Sequence, residues 1–186
     1  QVSLRADYDF LTHVYSRSGL YEALKREETH RHPRFLTVML LDIDYFKSIN
    51  DNYGHECGDR VLASFARQVQ QVVGEDGMVA RMGGEEFAVV VNSGDEQHGY
   101  ALAERIRSTV ASHPFTWRQQ TLYLTVSIGL GSGKAESWQL TEVFNKLMAE
   151  ADDHLYRSKK AGRNRTSARL ADEQLAASAG SETELR

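Results

Sequence analysis

The sequence predicts an α/β sandwich with helices packed on a central mixed sheet. Amphipathic helical segments alternate with strand-like runs in the order αβααββαβα. The run "FLTVMLLDID" at 35–44 is almost continuously apolar, which is typical of a strand buried on both faces. The chain has 186 residues, of which 41% are hydrophobic and 26% charged, and this composition suits one globular domain.

The predicted helices rest on apolar residues that recur at three- and four-residue steps. The clearest one runs from Asp59 to Val73, and "GEDG" at 74–77 stops it. Residues 45–59 are predicted to form a loop or a short helical turn. The other helices are predicted from Ser18 to about His32, from about Glu96 to Ser112 before Pro114, and over 140–160.

The remaining predicted elements are strands. "MVARM" and "EFAVVV" predict a hairpin joined by Gly83 and Gly84. A further strand is predicted at 121–131 and a short one at 164–168, while "GLGSG" at 129–133 is interpreted as a loop.

Two features outside these elements are assigned no chemistry. Trp117 and Trp138 are interpreted as packing residues. Residues 169–186 are rich in Ala, Ser and Glu and are predicted to be a disordered tail, so that the domain covers 1–168.

Charge and cysteine content exclude several classes of protein. The net charge of -4 and the pI near 6.0 argue against nucleic-acid binding through a basic surface. A phosphate ligand therefore has to be held locally, by a metal or by a few placed cations. The single cysteine, Cys57, cannot form an internal disulfide, which fits a reducing, cytoplasmic location.

Membrane and targeting signals are not found in the sequence. No apolar run approaches the roughly 20 residues that span a bilayer, and no signal peptide opens the chain. We therefore expect no direct membrane contact by this segment. The chain begins at Gln1, so we expect it to be a fragment whose missing N-terminal part holds a sensor or a membrane anchor.

Four acidic residues are predicted to meet at one edge of the sheet. Asp42 and Asp44 end the buried strand, and Glu85 and Glu86 lie at the hairpin tip. Carboxylates forced together raise each other's pKa unless a cation neutralises them, and Mg²⁺ is usually held by one or two carboxylates plus substrate phosphates. The arrangement therefore indicates a two-metal phosphoryl- or nucleotidyl-transfer site. In the alternative interpretation, "DID" caps a turn and the acidic tip is merely solvated.

Four motifs, in order along residues 5–168, carry a resemblance to a known family. "GGEEF" at 83–87 resembles the defining motif of the GGDEF family, the diguanylate cyclases. "DFLTHVYSR" is similar to the family's D-x-L-T-x-x-x-N-R, with Ser16 in place of Asn. "DIDYFKSINDNYGHECGD" at 42–59 resembles its D-[IV]-D-x-F-K-x-x-N-D-x-x-G-H-x-x-G-D segment. "ADDHLYRSKKAGRN" at 151–164 resembles its closing A-D-x-A-L-Y-x-x-K-x-x-G-R-N.

The resemblance implies a palm-like, nucleotidyl-cyclase-like domain with a mainly antiparallel sheet. It implies that two GTP are converted into cyclic di-GMP and two pyrophosphates, with two Mg²⁺ per site, or Mn²⁺ in their place. Asp42, the backbone carbonyl of Ile43 and Glu85 would hold the metals. Gly83 and Gly84 would let backbone and ligand approach closely.

The proton acceptor stays open at this stage. Glu85 or Glu86 would accept the proton of the attacking 3′-hydroxyl, and the sequence does not decide between them.

The same resemblance implies contacts to the phosphates. The loop at Tyr45 and Phe46 would cradle them, and Lys47, Lys159 and Arg163 would offset their charge. Lys159 and Arg163, four residues apart, are predicted to share a helix face. Without the motif, Lys47 is an exposed surface lysine, and the other two complement a helix dipole.

Base recognition is expected from the 42–59 segment. Asn50 and Asp59 resemble the guanine readers, since a carboxylate accepts from guanine N1–H and N2–H₂ and adenine lacks this donor edge. His55 would help to position the base or the ribose; alternatively, it is a turn residue.

Regulation is expected to differ from that of many family members. These carry R-x-x-D five residues before the glycine pair, where product binds and inhibits. Gly74 and Gly77 occupy those positions here, which predicts no product inhibition through this site. Because each domain would hold one GTP and the product joins two, a homodimer about a two-fold axis is expected for catalysis.

Three functions remain open at this level. The leading one is the cyclase, because suitable residues fill every implied position. The second is a catalytically silent module that binds GTP or cyclic di-GMP. The third is a nucleotidyl cyclase for another base, against which Asp59 argues.

Overall fold

The computed structural model describes residues 7–30 and 32–169. Within them, the predicted α/β class with a central mixed sheet is confirmed. All of the predicted tail except residue 169 lies outside the described residues.

The main sheet has six strands and is mostly antiparallel. The strands, in chain order and including the two of a separate hairpin, are β1 (Tyr15–Ser16), β2 (Arg34–Ile43), β3 (Gly77–Gly83), β4 (Glu86–Asn92), β5 (Phe115–Trp117), β6 (Gln120–Leu122), β7 (Val126–Ala135) and β8 (Thr166–Ser167). The sheet order is β1-β3-β4-β2-β7-β8, and β5 pairs with β6 apart from it. The two edge pairs, β1 with β3 and β7 with β8, are parallel, and the other pairs are antiparallel.

Helices cover both faces of this sheet. They are α1 (Arg17–Glu27), α2 (Phe46–Tyr53), α3 (His55–Val73), α4 (Glu96–Ser112) and α5 (Leu140–Lys160), with a 3₁₀ turn at Ser137–Gln139. Alternate residues of β2 enter two separate cores. Met39 and Leu41 belong to the core that contains α3 and α4, and Val38 and Leu40 belong to the core that contains α1 and α5. The prediction of a strand buried on both faces is therefore confirmed.

Local capping explains where two of the helices begin. The Ser16 hydroxyl accepts a hydrogen bond from the Gly19 N–H at 3.1 Å and caps α1. The Asp95 carboxylate accepts one from the His98 N–H at 2.8 Å and caps α4. Serine and asparagine are both strong N-caps, so Ser16 suits the position at which the family pattern has asparagine.

The segment "GLGSG" is not a loop, contrary to the sequence interpretation. It lies inside β7, next to the central strand β2. A Cβ on Gly129 would lie 2.1 Å from the Ala151 carbonyl oxygen, and one on Gly131 would lie 2.1 Å from the Leu147 carbonyl oxygen. Glycine is required at both positions because the backbone of α5 packs directly against β7.

Three other sequence expectations were wrong. Residues 45–59 are mostly helical, because Gly54, with a φ of 91°, separates two consecutive helices. The predicted strand 121–131 is two strands, β6 and β7, which belong to different sheets. Trp117 packs against the core as predicted, whereas Trp138 is 70% exposed.

Candidate active site

A cleft of about 520 Å³ opens where β2 ends beside the β3–β4 turn. This volume lies within the range of small-molecule sites. The residues that line it are Asp42, Ile43, Tyr45, Phe46, Lys47, Ser48, Asp51, Asn52, Glu85, Lys159 and Arg163. All of these except Ser48, Asp51 and Asn52 were predicted from the sequence as site residues.

The predicted meeting of the strand end with the hairpin is confirmed. Asp42 stands directly opposite Glu86 where β2 pairs with β4. The Ile43 N–H donates to the Glu85 carbonyl oxygen at 3.4 Å. Asp42 is buried, while Glu85 and Glu86 are half-buried.

Electrostatics at this edge favour a cation. Burial raises the pKa of Asp42 above its ordinary range, and the carboxylates of Glu85 and Asp44 push the pKa in the same direction. The Lys159 ammonium opposes this rise by donating to Asp42 Oδ2 at 2.7 Å. Burial also raises the pKa of Glu86, and Asp42 adds to that rise. One lysine therefore offsets only part of the negative charge.

Asp44 differs from Asp42 because its carboxylate already accepts three hydrogen bonds within the protein. Its Oδ2 accepts from the Thr125 hydroxyl at 2.6 Å and from the Asn164 N–H at 3.0 Å. Its Oδ1 accepts from the Ser127 hydroxyl at 2.6 Å, and the Arg163 guanidinium lies at 4.0 Å. Asp44 thus joins the end of β2 to the start of β7 and to the loop after α5. Of the two aspartates, Asp42 lines the cleft and Asp44 does not.

The hairpin turn is held by a residue that sequence reasoning did not single out. Arg81 Nε donates to the Gly84 carbonyl oxygen at 2.9 Å, and Arg81 Nη1 lies 3.3 Å from Asp9 Oδ2. Gly84 has a φ of 50°, which glycine adopts without strain. Gly83 and Gly84 are exposed. The "D-x-L-T" motif, of which Asp9 is the first residue, was the available signal for this link.

The cationic residues that line the cleft come from a helix and from the loop after it, which the sequence did not predict. Lys159 lies in the last turn of α5, but Arg163 lies beyond the helix, in a loop where its own φ is 66°. The prediction that both share a helix face was therefore wrong, because Gly162, with a φ of 122°, redirects the chain. Lys47 is exposed in the first turn of α2 and lines the same cleft.

The predicted base readers lie together at the junction of α2 and α3. Asn50 is in α2, and His55 and Asp59 are exposed in the first turns of α3. They are not among the residues that line the cleft. The Asn50 amide oxygen is buried and has no hydrogen-bond partner among the described residues. It packs against Gly58, where a Cβ would lie 1.8 Å from it.

The donor set fits a hard divalent cation bound together with a phosphate ligand. Asp42 and Glu85 line one cleft, and burial, with the neighbouring carboxylates, raises the pKa of Asp42 despite the Lys159 ammonium. Within residues 7–30 and 32–169, no group of three or more His, Cys, Asp or Glu side chains forms a metal cluster. Mg²⁺ suits such a site because it commonly uses one or two carboxylates and takes its other ligands from water and phosphate.

The sequence matches the family model described as "Diguanylate cyclase, GGDEF domain" over residues 6–165. The chain belongs to this family. Relatives agree with this assignment. The probable diguanylate cyclase DgcF of Escherichia coli K12 is 68% identical over 167 residues, which are 90% of this chain and 53% of DgcF. This GGDEF domain therefore spans about half the length of that relative.

The chain is also similar to more distant GGDEF proteins, in sequence and in fold. Diguanylate cyclase DgcP of Pseudomonas aeruginosa is 36% identical over 159 residues, which are 84% of this chain and 23% of DgcP. The solved structure of the coiled coil and GGDEF domain of DgcB from Caulobacter crescentus, in complex with c-di-GMP, has a TM-score of 0.76 at 31% identity. The match covers 90% of this chain and 88% of the DgcB chain.

In the part of the chain that the structure describes, none of the helices combines the length and the apolar character that a bilayer crossing requires.

Proposed function

We propose that this GGDEF domain condenses two GTP into cyclic di-GMP and two pyrophosphates. The observation that carries the proposal is the cleft, in which the Asp42 and Glu85 carboxylates face the same space as Lys47, Lys159 and Arg163. A nucleoside triphosphate brings phosphate oxygens that suit both the cations and a carboxylate-bound metal. Membership of the diguanylate cyclase family supports the choice of reaction.

Asp42, the Ile43 carbonyl and Glu85 would hold Mg²⁺, with Mn²⁺ as a substitute. When bound, the metal would polarise the α-phosphate and lower the pKa of the attacking 3′-hydroxyl. Lys47, Lys159 and Arg163 then neutralise charge that develops on the phosphates. Lys159 has to exchange its bond to Asp42 for one to the ligand, since its ammonium donates to that carboxylate in the free protein.

A carboxylate of the GGEEF turn accepts the 3′-hydroxyl proton. Glu85 lies in this turn and Glu86 is the first residue of β4. Either carboxylate can act as the general base. The guanine base would contact Asn50 and Asp59, with His55 beside it, and the backbone of Gly83 and Gly84 would lie close to the ligand.

We further propose a homodimer as the active species, because one domain would hold one GTP and the product contains two nucleotides. The catalytic unit would be residues 1–168, acting in the cytoplasm and controlled by segments of the longer protein outside this chain. No nucleic acid takes part in this reaction.

The test is to incubate the purified chain with GTP and Mg²⁺ and to measure cyclic di-GMP by chromatography. We expect product from the wild type and a loss of at least about 100-fold in the Glu85→Ala plus Glu86→Ala variant. Glu75 and Asp76 provide a matched control, because they are also adjacent acids in a turn but are exposed and outside the cleft. Their double alanine variant should retain activity.

A wild-type chain that makes no product even when fused to a dimerising coiled coil would contradict the cyclase. Retained GTP or cyclic di-GMP binding in that experiment would support the silent binding module.

A further inference from the structure

An exposed aromatic residue stands at the mouth of the cleft in a strained conformation. Tyr45 follows the end of β2 and precedes α2, and its φ of 56° and ψ of 32° place it in the left-handed region. The residue is 66% exposed. Residues other than glycine hold this conformation at a cost, and such strain is concentrated at ligand-binding sites. Because the side chain is mostly exposed, packing in the core does not explain why a tyrosine holds this strained conformation.

The guanidinium of Arg163 lies over the ring of Tyr45. The Arg163 Cζ atom lies 5.0 Å from the ring centroid, which is within the range of a cation–π contact. Arg163 also has a left-handed backbone, with a φ of 66°. Two residues from distant parts of the chain, each in an unfavourable backbone conformation, therefore meet face to face, and both line the cleft.

The stacking contact restricts a side chain that is otherwise weakly held. The Arg163 guanidinium lies 4.0 Å from Asp44 Oδ1, and Asp44 already accepts three shorter hydrogen bonds. An arginine side chain loses rotamer freedom when it binds a ligand, and a side chain that is already oriented loses less. Aromatic stacking suits arginine because its guanidinium is planar.

We propose that Tyr45 is a positioning residue for Arg163, whose guanidinium it holds toward the polyphosphate of a nucleoside triphosphate. The inference rests on the proposed function and adds to it a residue that acts through Arg163. The sequence interpretation assigned Tyr45 to the substrate itself. Here the aromatic ring matters and the hydroxyl does not.

The test compares Tyr45→Leu with Tyr45→Phe in the whole chain. Both substitutions keep a side chain with a Cβ on the strained backbone, but only phenylalanine keeps the ring. The dissociation constant of a non-hydrolysable GTP analogue is measured by calorimetry with Mg²⁺, and KM and kcat for GTP are measured in parallel. We expect Tyr45→Leu to raise the dissociation constant and KM by about two- to fivefold, which is the worth of an exposed cation–π contact. Tyr45→Phe should bind the analogue as the wild type does because it keeps the ring, and the loss in Tyr45→Leu should appear both in the dissociation constant and in kcat/KM.

Tyr156 offers a matched control on the same molecule. The Lys160 Nζ atom lies 5.4 Å from the centroid of its ring, and neither residue lines the cleft. Tyr156→Leu should leave GTP binding unchanged.

Three results would overturn the inference while leaving the proposed function intact. These are wild-type affinity in Tyr45→Leu, an equal loss in Tyr45→Phe, or an equal loss in Tyr156→Leu. Failure of the wild-type chain to bind the analogue would overturn the proposed function and this inference with it.

Discussion

Gly58 lies in the first turn of α3, directly against the side chain of Asn50. Its conformation does not require glycine, and glycine inside a helix is less stable than alanine by about 0.5–1 kcal/mol. The space, however, is taken by the Asn50 amide, whose buried oxygen has no partner among the described residues. Gly58 therefore fixes where a predicted guanine reader stands.

We predict that Gly58→Ala impairs GTP binding without unfolding the protein. The new methyl group forces the Asn50 amide to rotate away, so KM for GTP should rise by about three- to tenfold, which corresponds to one lost hydrogen bond. Urea denaturation should show a free energy of unfolding within about 1 kcal/mol of the wild type, because alanine favours the helix. In an Asn50→Ala background the substitution should have no further effect on KM. Additive effects would contradict the role given to Gly58.

Asp9 supports a prediction about pH. Although burial alone would raise its pKa, hydrogen bonds from Thr12 and the charge of Arg81 lower it below the ordinary range. A lowered folded-state pKa gives stability that is present above the unfolded value, about 4, and is lost as the pH falls through the folded value. Asp9→Asn should therefore lower Tm at pH 7, because it reduces the free energy of unfolding by about 1 kcal/mol. The difference from the wild type should shrink below about pH 4 in thermal melts, and a constant difference would refute this account.

The two aspartates of "DID" show what a sequence can and cannot predict at this scale. The apolar strand pattern and the position of the hairpin correctly predicted that Asp42 meets Glu86. Nothing local distinguishes Asp44 from Asp42, because the partners of Asp44 at Thr125, Ser127 and Asn164 are remote in the chain. Only the folded structure shows that the Asp44 carboxylate links separate segments through hydrogen bonds, whereas the Asp42 carboxylate lines the cleft.

Among the elements, β7 was the one that the sequence described least well. Its glycines have the composition of a loop, yet they form the middle of a strand because the backbone of α5 lies against them. The periodicity of α5 itself was read correctly over 140–160. A close approach between a helix and a strand leaves no pattern in either segment alone, so the sequence could not have predicted it.

This packing gives a prediction with a control on the same strand. A Cβ at position 131 would lie 2.1 Å from the Leu147 carbonyl oxygen, whereas one at position 133 would lie 3.4 Å from a Leu147 methyl carbon, an ordinary contact. Gly131→Ala should lower the free energy of unfolding by about 3 kcal/mol. Gly133→Ala should change it by less than about 1 kcal/mol, in the stabilising direction. Equal effects in urea titrations would show that α5 moves away freely.

For the whole molecule, we predict that cyclic di-GMP does not inhibit this domain through the segment between α3 and β3. Gly74 and Gly77 occupy the positions of R-x-x-D, and the structure disfavours other residues there. Gly74 has a φ of 73°, and a Cβ on Gly77 would lie 2.4 Å from a Val73 methyl carbon. Initial rates should stay unchanged when micromolar product is added at the start of the reaction. Strong inhibition at low product levels would contradict this prediction.

A second prediction for the whole molecule concerns assembly. If two copies each supply one GTP, the rate per chain should rise with protein concentration and reach a plateau when dimers predominate. Measuring specific activity over a wide concentration range, together with light scattering, tests this. A fused dimerising coiled coil should remove the concentration dependence. Constant specific activity in a monomeric sample would count against the dimer.

The glycine-lined contact between β7 and α5 also bears on how inactive variants of this domain should be interpreted. Lys159 reaches Asp42 from the last turn of α5, so the seating of that helix sets how the charges in the cleft are balanced. Bulky substitutions at Gly129 or Gly131 would shift the helix without touching any ligand. A screen for loss of activity should therefore recover these two positions alongside the acidic turn, and such variants would be mistaken for contacts to substrate.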